Sequence, residues 1–318
     1  MSANLLIMIP MDLLWNPPQS AAWSDFHRRH AGSLQQAWAY GEALRSLGIE
    51  VVRVVAHEQG TWRACAQFIA RRILGYLSLA SCSRGPIFDD DADPASRADF
   101  YRRVRRHLPL KPFRVALYSP NTAVQDWKPS EVKGLQRVLT GYSTVMLDLD
   151  LPGDQLRSAM DAKWRNRLVR AESNTGLKIF SQPSRAQMHF LLAREAEQRK
   201  RKGFFGLPTD FTLAYVAAHD KPASAFRIIW AEMERKPVAS MLFLLHGCTA
   251  TYHIGWANDS GRDSNAHNAL LWRAMQDLPQ CGVRWLDLGG VNTRDLAGIS
   301  RFKLGAGGRV LTLPGTFF

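Results

Sequence analysis

Along the chain, short apolar runs alternate with segments whose apolar positions recur every three to four residues; the first pattern predicts strands and the second helices. SLQQAWAYGEALRSLG reads as a helix with Ser33 as its cap, Ala37, Tyr40 and Leu44 on one face and Gly48 as terminator. IEVVRVVAH follows as a strand, TWRACAQFIARRI as a bent strand, and YLSLASCSRGPIF as a strand running into an R-G-P turn. PASRADFYRRVRRHL spaces Ala98, Tyr101, Val104 and Leu108 as a helix does, and PFRVALYS is a strand again. In the C-terminal half, TATYHIGWAND predicts a strand ending in a polar turn, AHNALLWRAMQDLP a helix, and VRWLDLGGV a strand.

The stretches from Tyr76 to Tyr118 and from Ala250 to Val291 thus follow one order over similar lengths, without a residue-level repeat. That pattern predicts a duplicated lobe of mixed α/β structure. A chain of 318 residues is long enough for two domains. LDLDLPGDQL joins a strand to a helix, so the expected division is 1–150 and 151–318.

Composition changes this picture mainly through charge. With 46% hydrophobic and 22% charged residues the chain is of the folded, soluble kind. Its net charge of +13 favours polyanionic partners: nucleic acid, phosphorylated precursors or an anionic membrane surface. Cys65, Cys82, Cys248 and Cys281 lie far apart, with no metal-ligand spacing, which predicts a reduced, cytoplasmic protein; a monomer is expected. LLIMIPMDLLW lacks a basic leader and is broken by Pro10 and Asp12, a poor signal peptide. Any membrane contact is expected to be peripheral, at the inner surface.

Candidate chemistry is sparse. DQLRSAMDAKWRNRLVRAESNTG reads as one helix in which Met160, Trp164, Leu168 and Ala171 form an apolar stripe beside Lys163, Arg167 and Arg170. The basic stripe suits nucleic-acid phosphates, or is a solvated face. REAEQRKRKGFFG places Arg199 and Lys200 just ahead of Phe204 and Phe205, a combination that holds phosphate and stacks on a ring, or else ends a helix with cations matched to its dipole. No G-x-S-x-G, H-x-x-x-D or H-E-x-x-H set occurs. His27 and His30 read as a surface pair, DDDAD at 89–93 as a helix cap rather than a metal site, and no metal is expected. In GGVNTRDLAGISRFKLGAGG the third glycine of a dinucleotide fingerprint falls on Val310, and Lys303 lies between Phe302 and Leu304, not in a Walker loop. The stretch then reads as a glycine-rich turn from WLDLGGV to a last strand, RVLTLPG.

Several of these pieces, in order from residue 33 to 308, resemble the Fem family of peptidyltransferases: SLQQAWAYGEALRSLG, SRGPIF, VMLDLD, KWRNRLVRAESNTGL, RKGFF, LLWRAM, WLDLGGV and GISRFKLGAGG. The resemblance implies an α/β (α+β) fold of two tandem GNAT-like lobes, each a mixed, mostly antiparallel sheet flanked by helices. It implies transfer of an amino acid from aminoacyl-tRNA, as co-substrate rather than cofactor, to an amine of a peptidoglycan or other small peptide or nucleotide-linked precursor. Carried over by motif, Lys303 lies at the reaction centre with Arg301 beside it, and Asp89, shortly after R-G-P, is a candidate proton acceptor. Arg199, Lys200, Phe204 and Phe205 match the phosphate-binding run and its aromatic pair, and Tyr252 and Trp256 would line the cleft.

Phe204 and Phe205 stand where relatives can have tyrosines. The chain departs from the expected patterns at three further places: the helical hairpin of some longer members and a lysine often found in the first W-G helix, here AWAYGEALRS, are missing, and so is an acyl-CoA loop. GRDSNAHNALLW lacks the R/Q-x-x-G-x-G/A loop that holds acyl-CoA in GNAT enzymes. An N-acyltransferase using acyl-CoA or acyl carrier protein is the second reading, and a lobe pair that only binds RNA is the third.

Overall fold

The computed structural model describes residues 11–111, 113–202, 209–291 and 297–318. The first half contributes strands β1 (Asp12–Trp15), β2 (Glu50–Glu58), β3 (Thr61–Ile73), β4 (Leu77–Ser83), β5 (Ile87–Phe88), β6 (Phe113–Ser119) and β7 (Arg137–Leu139), with helices α1 (Ser20–Arg29), α2 (Trp38–Ser46) and α3 (Pro94–His107). The second contributes β8 (Ser143–Asp148), β9 (Lys178–Gln182), β10 (Phe226–Met233), β11 (Lys236–His246), β12 (Thr249–Ala257), β13 (Trp285–Gly290) and β14 (Arg309–Thr312). Its helices are α4 (Gly153–Ala159), α5 (Ala162–Glu172), α6 (Arg185–Lys202), α7 (Thr209–Ala217), α8 (Asp259–Asp263), α9 (Ala266–Asp277) and α10 (Ala297–Leu304). A last strand, β15 (Thr316–Phe317), returns to the first sheet between β6 and β7.

Two mixed, mostly antiparallel sheets result, in the orders β1-β2-β3-β4-β6-β15-β7, with β5 on β3, and β14-β8-β13-β12-β11-β10-β9. The duplicated order read from the sequence has a structural counterpart. β4, α3 and β6 form a crossover whose strands pair in parallel, Leu77 to Phe113, and β12, α9 and β13 repeat it, Thr249 to Trp285. A parallel pair needs such a helical crossover. The passage between sheets lies between β7 and β8, a few residues ahead of 150, and β15 stitches the end of the chain back into the first lobe.

Each sheet buries its own core, around Phe68, Tyr118 and Phe100 in the first lobe and Phe243, Leu270 and Leu286 in the second. A third core joins the lobes: Ala43 and Leu44 of α2 pack with Leu191 of α6 and Phe211 and Tyr215 of α7. The Tyr40 and Phe211 rings meet edge to face at 5.0 Å. Shared burial of this kind fixes one lobe against the other.

Three local expectations are corrected. The helix expected from Ser33 is split: a 3-10 turn over Leu34–Gln36 is followed by Ala37 in an extended conformation (φ −67°, ψ 141°), and α2 starts at Trp38; the Gln36 side-chain amide anchors the turn, donating to the Ser83 carbonyl at 2.9 Å and accepting from the Gln67 backbone N–H at 2.8 Å. The single basic helix is two, broken at Met160 and Asp161, where the Asp161 N–H donates to the Gly305 carbonyl at 3.0 Å instead of continuing the helix. The glycine-rich turn after WLDLGGV contains a helix, α10. Asp93 caps α3 as read, accepting from the Ala95 and Ser96 N–H groups at 2.7 and 2.9 Å.

Candidate active site at the lobe junction

WLDLGG forms the buried strand β13, and a carboxylate in the middle of such a strand demands partners. Asp287 finds three. Its Oδ1 accepts the Thr144 hydroxyl of β8 at 2.5 Å and the Gly289 N–H at 2.8 Å. Its Oδ2 pairs with Nη1 of Arg84, which comes from the turn after β4 in the other lobe. Both residues are buried. Arg84 is itself held by Asn121, whose Oδ1 accepts from Nε at 2.8 Å, and by the Tyr142 hydroxyl, while its carbonyl accepts the Ser33 hydroxyl at 2.8 Å.

The β13–β8 register shifts just after Asp287, and Gly289 takes φ +76° there. Such a bulge re-aims the backbone, and glycine adopts that conformation without strain. The redirected Gly290 carbonyl accepts from Lys303 Nζ at 2.9 Å. A Cβ on Gly289 would lie 3.4 Å from the same Nζ. Lys303 arrives on α10, which α5 holds in place: Trp164 Nε1 donates to the Phe302 carbonyl at 3.0 Å, and Gly307, at φ +87°, packs against the Ala159 backbone. Burial lowers the pKa of Lys303, and the Asp287 carboxylate opposes that shift. One N–H of the ammonium is taken by Gly290, and a lysine has two more to offer.

The structure thus sets Lys303 in one cluster with Arg84, Asp287, Thr144 and Tyr142, none of which was singled out from the sequence. Arg84 and Asp287 lie inside SRGPIF and WLDLGGV, and the signal available was the acid in an otherwise apolar strand. Arg301 is exposed on α10. Asp89 is elsewhere in the first lobe, its Oδ2 accepting from Arg63 Nη1 at 2.8 Å; no described hydrogen bond or ion pair joins it to Lys303. Tyr252 packs on the second core with its ring 5.7 Å from that of Phe243, and burial raises its hydroxyl pKa. Trp256 packs edge-on against Phe190, and its carbonyl accepts from His267, whose ring meets Phe302 beside Lys303.

Lys163, Arg167 and Arg170 are all exposed on α5, with Trp164, Leu168 and Ala171 buried behind them. Arg167 lines a cleft of about 260 Å³ with Arg262, His267 and Asn268. Lys200 is exposed near the end of α6; the side chain of Arg199, and Phe204 and Phe205 entirely, lie outside the described residues. His27 is not at the surface. It is buried where α1 meets the end of β11, its Nε2 2.9 Å from the Ser33 carbonyl and its ring 5.7 Å from that of His246. No cluster of three or more His, Cys, Asp or Glu side chains fit for a metal occurs among the described residues.

Residues 157–304 match a family model described as an acetyltransferase (GNAT) domain. The chain has the fold of FemX, with a TM-score of 0.81, 13% identity and 96% of each chain covered. L-PGS from Bacillus licheniformis aligns at TM-score 0.55 and 15% identity over 95% of this chain and 91% of its own. A tandem GNAT protein from the clavulanic acid biosynthesis pathway aligns at 0.51 and 12% over 96% and 98%. No curated protein sequence matches. The chain therefore has the fold of two tandem GNAT-like lobes in the FemX arrangement, and residues 157–304, most of the second lobe, are similar to a GNAT acetyltransferase domain.

Proposed function

We propose that the protein is an aminoacyltransferase of the Fem type, passing an amino acid from aminoacyl-tRNA to an amine of a peptidoglycan precursor or other small peptide acceptor. The observation that carries this reading is Lys303, held at the lobe junction by the Gly290 carbonyl with its charge favoured by the buried Asp287 carboxylate, in a chain that shares the FemX fold over 96% of its length.

The chemistry asked of the protein is modest. The acceptor nitrogen attacks the ester carbonyl, the C–O bond to the ribose breaks as the amide forms, and the proton shed by the amine ends on the ribose hydroxyl. Aligning the two substrates and stabilising the oxyanion supply most of the rate. The free N–H groups of the Lys303 ammonium suit the oxyanion, and a lowered pKa makes the ammonium a better proton donor to the leaving oxygen. The exposed cations of α5 suit the tRNA backbone.

The second reading, an N-acyltransferase using acyl-CoA, is favoured by the description of the matching domain. The connection from β12 to α9 speaks against it. In place of a glycine turn it holds the short helix α8, and the Gly261 N–H there is taken by Asn258 Oδ1 at 2.9 Å and so is not available to a pyrophosphate. The test offers labelled aminoacyl-tRNA and labelled acyl-CoA in separate reactions with a precursor extract. Label is expected to leave tRNA; transfer from CoA and never from tRNA would overturn the proposal.

A further inference from the structure

At one end of the first sheet three neighbouring strands carry apolar side chains that the fold does not bury. β3 ends where β4 and β6 begin: Ile73 pairs with Leu77, and Leu77 with Phe113. Leu74, at the tip of the loop between β3 and β4, is 79% exposed and Phe113 68%, with Ile73 and Tyr76 exposed beside them. Leu74 also adopts φ +52°, followed by Gly75 at +77°. Glycine, asparagine or aspartate fills such a position at low cost, whereas a leucine is strained there and contributes nothing to a core. Folding gives no reason for this residue at this place.

Cations surround the tip. Arg71 and Arg72 precede it on β3, Arg106 closes α3, and Lys111 and Arg114 flank Phe113, all of them exposed. Arg72, Arg106, Lys111 and Arg114 line a cleft of about 460 Å³ in which Glu50 is the one acid, 4.0 Å from Arg72. We propose that this edge docks on an anionic membrane surface, Leu74, Tyr76 and Phe113 entering the boundary between headgroups and acyl chains while the cations meet lipid phosphates. Apolar side chains ringed by arginine and lysine are what such an interface selects. An RNA would use the cations but leave Ile73 and Leu74 in water, and two copies facing each other here would oppose like charges. No described helix is long and apolar enough to cross a membrane, so the contact is one of surface.

The test is sedimentation of the full chain with vesicles of phosphatidylcholine alone and of equal parts phosphatidylcholine and phosphatidylglycerol. Binding is expected only to the anionic vesicles. Arg72→Gln with Lys111→Gln should weaken it about 25-fold, at about fivefold per cation near such a surface. Leu74→Ser with Phe113→Ser should weaken it at least ~10-fold, since burying each apolar side chain is worth about that much. Unchanged thermal melts and unchanged transfer to a soluble acceptor separate this result from misfolding and from failure of the proposed reaction. Equal binding to neutral vesicles, wild-type binding by both variants, or variants that lose tRNA but keep vesicles would each overturn the proposal, the last in favour of an RNA face.

Discussion

Arg84 and Asp287 stand 203 residues apart in the chain and meet as a buried ion pair across the junction of the two lobes. Removing one partner leaves the other charge buried without compensation, which costs about 3–5 kcal/mol. Asp287→Ala should therefore lower stability by that amount in chemical denaturation. The double variant Arg84→Met with Asp287→Leu should recover most of it, because an apolar pair carries no desolvation penalty. Equal loss in the single and double variants would show that the pair itself was not the cause.

The same carboxylate acts on Lys303, whose pKa it raises against burial. Asp287→Asn removes that opposition and leaves the Arg84 cation uncompensated, so both changes push the ammonium to lose its proton at lower pH. If the charged lysine does the work, the alkaline limb of the pH–rate profile should move to lower pH in Asp287→Asn. A limb that stays in place would separate Lys303 from the rate.

Much of this architecture was legible in the sequence, and the misses share one physical origin. Strands such as IEVVRVVAH and the stripe of Trp164, Leu168 and Ala171 declared themselves, because their burial pattern is local. The Met160 break, α10 and the Arg84–Asp287 pair are fixed by contacts from distant segments, such as Asp161 to Gly305, which no periodicity can report. Lys303 is singled out by resemblance alone; the residues around it are visible only in the fold. His27 misled for a related reason, since its ring is enclosed both by Gly32 of its own lobe and by a turn of the other lobe, where a Cβ on Gly247 would lie 3.0 Å from Nδ1.

His27 and His246 predict acid sensitivity. Burial lowers the pKa of His27 from 6.5 to about 4, and burial, His27 and Arg84 lower that of His246 well below its usual value. Between about pH 6.5 and 4 the unfolded chain binds protons that the folded one refuses, so stability should be full above pH 7 and fall as the solution is acidified through that window. For His27 alone the loss is on the order of 3 kcal/mol. Denaturation midpoints measured from pH 8 to 4 should show the decline, shallower in His27→Gln than in wild type.

Gly141 marks where the returning tail crosses the segment between β7 and β8. A Cβ there would lie 1.7 Å from the Leu313 carbonyl oxygen, a clash with backbone that no rotamer relieves. Gly141→Ala should cost at least ~2 kcal/mol, in the range of forced overpacking. Hydrogen exchange should quicken at Phe318 and Gln136, whose N–H groups each donate to the other's carbonyl, at 3.0 and 2.9 Å.

Trp164→Phe tests how α5 positions α10. The variant keeps the packing against Phe302 and loses the hydrogen bond to its carbonyl, about 1 kcal/mol of stability. If that bond sets the place of Lys303, kcat should fall several-fold with KM for the acceptor little changed.

Amino-acid transfer at Lys303 is decided by single-turnover transfer of labelled amino acid from charged tRNA to a purified precursor amine, with wild type and Lys303→Ala in parallel. Wild type is expected to transfer the label, and the variant to lose at least ~10²-fold, the scale of removing one oxyanion donor. Wild-type turnover by Lys303→Ala would contradict that expectation.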